Sequence, residues 1–389
     1  MSRSRARARG EGSIYRRKDG RWVASLRWST GERKYRYAST QRGAVGSLAE
    51  LQALRNSGQP VPNDRLTVGS WCAQWMERHV SKLAHGSQRR YEQVVRDYIA
   101  PAAGNPRLGK VKLLALNVAT VSAWTDRLLV DGVSPALVAY SLVVLKSALK
   151  TAMREELIAR NVATLVEPPR YEKREGNPLS DVEARALLVA VRQHRLYALV
   201  VLALTAALRQ GEIVGLQWGA IDPAEGRLWV RQQLQRESGK GLVVVPTKTR
   251  RSSAAVALTQ VFVRALQGHR ARLIEERMRA GDAWRGADNP VAADAFVFVS
   301  TVGTRLDGKQ VWQYWTDMLK TAGIEHRRMH DSRHTTSTLL QAIGVPMDDI
   351  KEVLRHSRRA TTEDYSHAGF DRQQAAAARL DTLLGEALG

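Results

Sequence analysis

The chain has 389 residues, with 60 Lys and Arg against 38 Asp and Glu and a formal net charge of +22. Hydrophobic residues make up 44%, enough for real cores, which excludes a wholly disordered basic protein, and the length suits two or three domains. Cys72 is the only cysteine, which excludes a disulfide framework and a cysteine-cluster zinc site, and no apolar run reaches membrane-spanning length.

The excess charge favours a polyanionic partner. Arg outnumbers Lys 47 to 13, and a forked guanidinium suits phosphate. A GC-rich genome would explain Arg over Lys, but less easily the net charge.

Residues 1–11 carry four Arg without apolar period and read equally as a phosphate-binding or a solubilising arm. Gly12–Arg17, Arg21–Trp28 and Arg33–Ala38 are β-type runs, separated by the hairpin signals Asp19-Gly20 and Thr30-Gly31. Trp22, Ala24, Leu26 and Trp28 share one face of the middle run, and Arg21, Val23, Ser25 and Arg27 the other. A helix over Gln41–Asn56 is expected to cover the apolar face. Residues 1–60 hold 14 basic and 4 acidic side chains, a net of +10. A small basic sheet with interleaved aromatics is a plausible DNA-groove reader, with Arg16, Arg21, Arg27, Lys34 and Arg36 as candidate contacts. The bland reading is a stabilising module with a solvated charged face.

Gly58–Asp64 reads as a linker. Helical periodicity follows at Val68–Val80, Ser87–Ile99, Val118–Val130 and Pro135–Leu157, with Thr67 and Ser87 as N-caps and Pro135 in a first turn. This all-helical unit carries basic patches at Arg89-Arg90 and Lys110–Lys112. Glu167–Arg174 closes it as a second linker. The domains expected are therefore 1–60, 65–168 and 175–389.

From Leu179 the pattern is mixed. Ser180–Arg192 and Leu196–Leu208 are helical, the second so apolar that it must be central to a core. Arg227–Gln235, Gly241–Val245 and Ala254–Leu258 are strand-like, and helices continue to Leu388. The fold class expected is multidomain α+β: a three-stranded sheet plus helix, a helical bundle, and a mainly helical domain with a small antiparallel sheet.

Four clusters in the last domain carry the chemistry. Arg209 ends the apolar helix, and an Arg there is costly unless paired; Glu212 is its natural structural partner. Lys248 lies between strand-like segments, where a lone Lys is usually just solvated. His330 and Arg333 have the spacing that puts an imidazole and a guanidinium on neighbouring positions of one helix face. His356 is followed nine residues later by Tyr365. Several His side chains leave a metal site open, but no spacing such as HExxH supports one.

The ordered set Arg209, Lys248, His330, Arg333, His356 and Tyr365 resembles the signature of the tyrosine recombinases, the phage-integrase family. Neighbouring residues agree: the run from Arg209 through Glu212 to Trp218, the Arg333-His334-Thr335 run, and the Tyr365-Ser366-His367 ending. The helical unit is similar to a core-type DNA-binding domain, and the basic sheet resembles, more weakly, the arm-type domain of longer integrases. Three departures stand out: Thr205-Ala206 replaces the usual Thr-Gly, Ser332 stands where Leu is common, and Arg355 stands where Leu-Gly-His would have Gly. The last puts local loop geometry in question and offers a further phosphate contact.

The resemblance implies phosphoryl transfer needing no metal, nucleotide or other cofactor. Arg209 and Arg333 suit charge stabilisation on non-bridging oxygens, Tyr365 the nucleophile, His330 the base, Lys248 the acid, and His356 a phosphate hydrogen bond. It further implies DNA attachment sites as substrate, a 3′-phosphotyrosine intermediate, four protomers on two duplexes, and an excisionase or host DNA-bending protein as accessory partners. It places the chain in a bacterial cytoplasm, associated with the nucleoid while acting. Leu380, Leu383, Leu384 and Leu388 form an apolar stripe that either docks on a neighbouring protomer or packs on its own domain.

A type IB topoisomerase would use nearly the same residues, but relaxation needs no extra basic anchoring module. A DNA-binding regulator has no use for a nucleophile and its acid. A chromosome-maintenance recombinase resembles only the two later domains, so the extra basic residues favour a phage or mobile-element integrase.

Overall fold

The computed structural model describes residues 11–28, 31–56, 65–102, 108–172, 176–237, 239–246, 255–355 and 367–385, with backbone only for 367–369. The chain forms two compact units, Met1–Lys173 and Arg174–Gly389.

In the first unit, β1 (Ser13–Arg16), β2 (Trp22–Arg27) and β3 (Arg33–Ala38) form an antiparallel sheet in that order. Gly20 takes φ +83° in the first turn, a conformation that glycine adopts without a Cβ penalty. Helix α1 (Gln41–Asn56) covers one face, and Ala24, Leu26, Trp28, Ala44, Leu48 and Leu51 form the core between them. The sheet's other face is not simply solvated: Val23 and Ser25 are buried. The register explains why, because Val23 lies between Tyr15 and Tyr37, and Ser25 between Ser13 and Tyr35.

A separate core belongs to the helices α2 (Val68–Arg78), α3 (His85–Val94), α4 (Val118–Val130) and α5 (Pro135–Arg154). Thr67 caps α2, its side chain accepting from the Ser70 N–H at 3.1 Å. Ser87 does not cap α3: the helix begins at His85, and the Ser87 N–H already bonds the Ala84 carbonyl at 2.8 Å inside the first turn. Helix α5 is long and apolar enough to cross a membrane by composition alone, yet Val138, Leu142, Leu145 and Leu149 bury it in the bundle. Trp71 and Trp124 are satisfied by the carbonyls of Ala148 and Tyr98. Burial pushes the Cys72 thiol up to about 12, leaving it inert.

In the second unit, α6 (Asp181–Ala190) precedes α7 (Tyr197–Thr205), which is buried from Ala198 to Thr205. A short α8 (Gln210–Val214) follows. The strands are β4 (Ile221–Asp222), β5 (Arg227–Trp229), β6 (Gln232–Glu237), β7 (Gly241–Pro246) and β8 (Ala255–Ala257). The Arg227–Gln235 run is thus two strands, because β5 pairs with β4 and β8 while β6 forms a hairpin with β7. Helices α9 (Gln260–Ala280), α10 (Gly308–Thr321), α11 (Ser332–Ala342), α12 (Met347–Val353) and α13 (His367–Gly385) complete the unit.

Helix α13 packs on its own unit. Leu380 and Leu384 are buried in the core around α7, and Leu383 packs against it. The Asp381 carboxylate accepts from the Gln260 and Val261 N–H groups at 2.6 and 2.7 Å, capping α9. These three leucines are therefore not a free docking stripe; Leu388 lies outside the described residues.

Candidate active site

The site begins where α7 stops. Thr205 is its last residue, and Ala207 turns the chain with φ +49°. The glycine-like conformation falls on Ala207, one residue after Ala206, where the motif comparison put the missing glycine; Ala206 keeps φ −102°. A left-handed Ala costs roughly 1–2 kcal/mol, so the surroundings must hold it. Arg333 does so, donating through Nη1 to the Ala207 carbonyl and through Nη2 to the Leu354 carbonyl. One buried guanidinium thereby fastens two turns, because Arg355, after Leu354, is also left-handed at φ +51°.

Arg209 sits at the N-cap of α8. Its N–H donates to Glu212 Oε2 at 2.9 Å, and its Nη1 donates to Glu212 Oε1 at 2.8 Å. Arg355 Nη2 donates to the same Oε2 at 2.7 Å. The Glu212 and Arg355 side chains are each 3% exposed, whereas that of Arg209 is 44% exposed. Glu212 is therefore not the partner of Arg209 alone; it is shared. Arg355 does not offer the further phosphate contact expected of it, because it is buried on the carboxylate.

Burial raises the Glu212 carboxyl, but the Arg355 charge and the Arg209 backbone N–H, with both guanidinium hydrogen bonds, outweigh it and leave the group below the usual carboxylate range. Arg333 is lowered to about 10 by burial first, then by the positive charges of Arg209 and Arg355. Both remain ionised at neutral pH.

Helix α8 approaches β6 so closely that only glycine fits. A Cβ on Gly211 would stand 2.9 Å from the Leu234 carbonyl oxygen, and one on Gly215 2.9 Å from the Gln233 Cα. Gln232 Nε2 donates to the Gly215 carbonyl at 3.0 Å. The hairpin is thus fastened to the helix that carries Arg209.

His330 lies in a 3₁₀ turn (Met329–Asp331) that leads directly into α11. Thr336 donates to the Leu204 carbonyl at 2.9 Å, and Thr335 accepts from the Leu179 N–H at 2.9 Å, tying α11 to α7 and to the start of the unit. Asp331 is buried and receives two hydrogen bonds from Arg328. Desolvation, then the Arg333 charge and the neighbouring His334, hold the His330 pKa below its ordinary value. The imidazole is therefore neutral at pH 7 and able to accept a proton. The Ser332 hydroxyl is buried without a hydrogen-bond partner.

Of the expected residues, Arg209, Glu212, His330 and Arg333 come together in one electrostatically coupled site. Lys248, His356 and Tyr365 lie outside the described residues. Sequence reasoning missed the role of Arg355, although an Arg in a glycine position was the visible signal. Among the described residues, no group of three His, Cys, Asp or Glu side chains stands ready to hold a metal.

The candidate DNA contacts separate by face. Arg27 lies opposite Arg33 and in alternation with Val23 and Ser25, on the face bearing Tyr15, Tyr35 and Tyr37. Arg21 joins them, its guanidinium 5.4 Å from the Tyr37 ring centroid. Arg16, Lys34 and Arg36 pair with Trp22, Leu26 and Ala24, on the face that α1 covers, so they reach solvent only along the edge strands. The three tyrosines, 42–51% exposed, are the interleaved aromatics of this surface. Arg89 and Arg90 are exposed on α3, and Arg90 stacks on Tyr140 at 4.3 Å.

The sequence and fold have clear relatives. Residues 178–372, half of the chain, match the phage integrase family. A tyrosine recombinase XerC-like protein of Caldanaerobacter subterraneus subsp. tengcongensis is 29% identical over 353 residues, covering 86% of this chain and 88% of its own. The Tn1549 transposon integrase, solved in complex with a circular intermediate DNA, superposes with a TM-score of 0.63 at 19% identity, covering 79% of this chain and 99% of that one. A lambda integrase tetramer bound to a Holliday junction gives a TM-score of 0.50 at 17% identity, covering 92% and 95%. With the motif, the fold and these relatives in agreement, the chain belongs to the phage integrase family and is a tyrosine-type site-specific recombinase.

Proposed function

We propose that this recombinase cuts and rejoins DNA at specific attachment sites through Tyr365, with Arg209 and Arg333 holding the scissile phosphate. The observation that carries this reading is the exposed Arg209, anchored on Glu212, within electrostatic reach of the buried Arg333, with His330 close enough to feel both charges. Fixed donors aimed where charge grows on non-bridging oxygens lower the barrier without reorganisation.

The Tyr365 oxygen attacks phosphorus while the bond to the 5′-oxygen breaks. His330, neutral at pH 7, takes the phenol proton, and Lys248 protonates the leaving 5′-oxygen, which departs as a hydroxyl. The 3′-phosphotyrosine conserves the bond energy, and a 5′-hydroxyl from the partner duplex reverses the step. His356 hydrogen-bonds the phosphate. No step calls for a metal or nucleotide.

Residues 1–60 would serve as an arm-type DNA-binding domain, 65–168 as a core-type one and 175–389 as the catalytic domain. The tyrosine-bearing face with Arg21 and Arg27 supports the first assignment, since flat aromatics and guanidinium groups suit a DNA groove. The lambda integrase tetramer on a Holliday junction supports assembly of four protomers on DNA. Excisionase or DNA-bending partners and a bacterial cytoplasmic site of action complete the reading.

The test is covalent capture. Tyr365→Phe should abolish protein–DNA adducts on an attachment-site duplex while leaving binding nearly unchanged. An adduct formed by the Phe variant would refute the assignment.

A further inference from the structure

Arg355 occupies a costly position for a side chain. Its backbone is left-handed at φ +51°, where glycine would carry no Cβ penalty. Its side chain is 3% exposed, so its stem and guanidinium are both withdrawn from water. An outlier of this kind at a reaction centre points to a role for the side chain itself.

The hydrogen bonds show what that role is. Glu212 has two carboxylate oxygens and three donors: the Arg209 N–H and Arg355 Nη2 on Oε2, and Arg209 Nη1 on Oε1. Without Arg355, the buried carboxylate would face Arg209 alone, and the pair would be electrically neutral. With it, the same carboxylate is divided between two cations, one buried and one exposed. Arg209, Glu212, Arg333 and Arg355 together carry a net charge of +2; removing Arg355 halves it.

We infer that Arg355 is a positioning residue: by neutralising Glu212 from the buried side, it leaves the exposed Arg209 guanidinium free to bind phosphate while keeping it anchored. It acts on the phosphate through Arg209, because its Nη2 is committed to Glu212 Oε2. Burial of all but one cation also explains why the charge reaches solvent at Arg209. The inference rests on the reading that Arg209 holds the scissile phosphate.

The probe is inorganic phosphate, titrated into the full chain by calorimetry at fixed ionic strength. Three substitutions at Arg355 and one at Arg209 are compared, with circular dichroism to confirm folding. Arg355→Met removes the charge and keeps the stem. Arg355→Gly removes the charge and also relieves the left-handed backbone, so it guards against a folding defect. Arg355→Lys keeps the charge and loses the fork.

Without Arg355, Arg209 would be held by Glu212 as a neutral pair and lose about one charge-assisted hydrogen bond to phosphate, a weakening of roughly tenfold. Arg355→Met and Arg355→Gly should both show this loss, and Arg355→Lys should stay within about threefold of the native chain. In the Arg209→Ala background, Arg355→Met should have almost no further effect, because its influence passes through Arg209. Native affinity in Arg355→Gly, or a loss in Arg355→Lys as large as in Arg355→Gly, would overturn the inference. If Arg209→Ala alone leaves phosphate binding unchanged, the phosphate-clamp reading itself fails, and this inference with it. If Arg209→Ala weakens binding and the Arg355 variants do not, only the role of Arg355 is lost.

Discussion

Glu212 is the group on which the site's geometry turns, and its removal has a calculable cost. The carboxylate is 3% exposed and accepts from the Arg209 N–H, Arg209 Nη1 and Arg355 Nη2. Glu212→Gln keeps the shape but replaces one acceptor oxygen with a donor and removes the negative charge that faces buried Arg355. Breaking a buried ion pair from one side costs about 3–5 kcal/mol. For a unit of this length, each kcal/mol moves the midpoint by about 2–4 °C, so the second unit should melt roughly 10 °C lower at pH 7. The folded pKa of Glu212 is depressed. Its contribution is therefore present above the unfolded value of 4.5 and lost as pH falls below that value through the folded one. Thermal melts by circular dichroism should show the two proteins converging on that acidic side. A Glu212→Gln midpoint within about 2 °C of the native chain at pH 7 would refute the argument, since two or more kcal/mol could not then reside there.

Other expectations follow from the same geometry. Ala207→Gly removes the left-handed Cβ and should stabilise the chain by about 0.5–1 kcal/mol after the entropy of the unfolded glycine is counted; a lower melting midpoint would contradict the strain. The acidic limb of the cleavage profile should have its midpoint below 6.5, because burial and the neighbouring cations depress His330; a midpoint at or above 6.5 in the pH dependence of kcat/KM would argue against His330 as base. Deleting residues 1–60 should weaken binding at outer sites and spare core-site cleavage. Footprints unchanged at every site would remove the arm-type assignment.

Much of this was legible in the sequence because periodicity and capping residues report local structure directly. Pro135 starts α5, Thr67 caps α2, and Gln41–Asn56 and Val118–Val130 are helices at the stated residues. Arg209, Glu212, His330 and Arg333 were recognised by type and order, and the fold brings these four together. What sequence alone misses depends on partners distant in the chain. The break of Arg227–Gln235 into two strands is decided by β7 and β8, not by the run itself. The amphipathic stripe of α13 looks the same whether it meets another protomer or its own core; only the packing of Leu380 and Leu384 distinguishes them. Arg355 is the sharpest case. Its departure from glycine was visible, but the carboxylate that holds it is 143 residues away.

Identifying the residue joined to DNA tests the role of Tyr365 most directly. The native chain is reacted with a duplex carrying its attachment site, the DNA is trimmed with nuclease, and the modified peptide is sequenced by mass spectrometry. The expected product is a single nucleotide linked through its 3′-phosphate to Tyr365. Linkage to any other side chain, or through a 5′-phosphate, would contradict it.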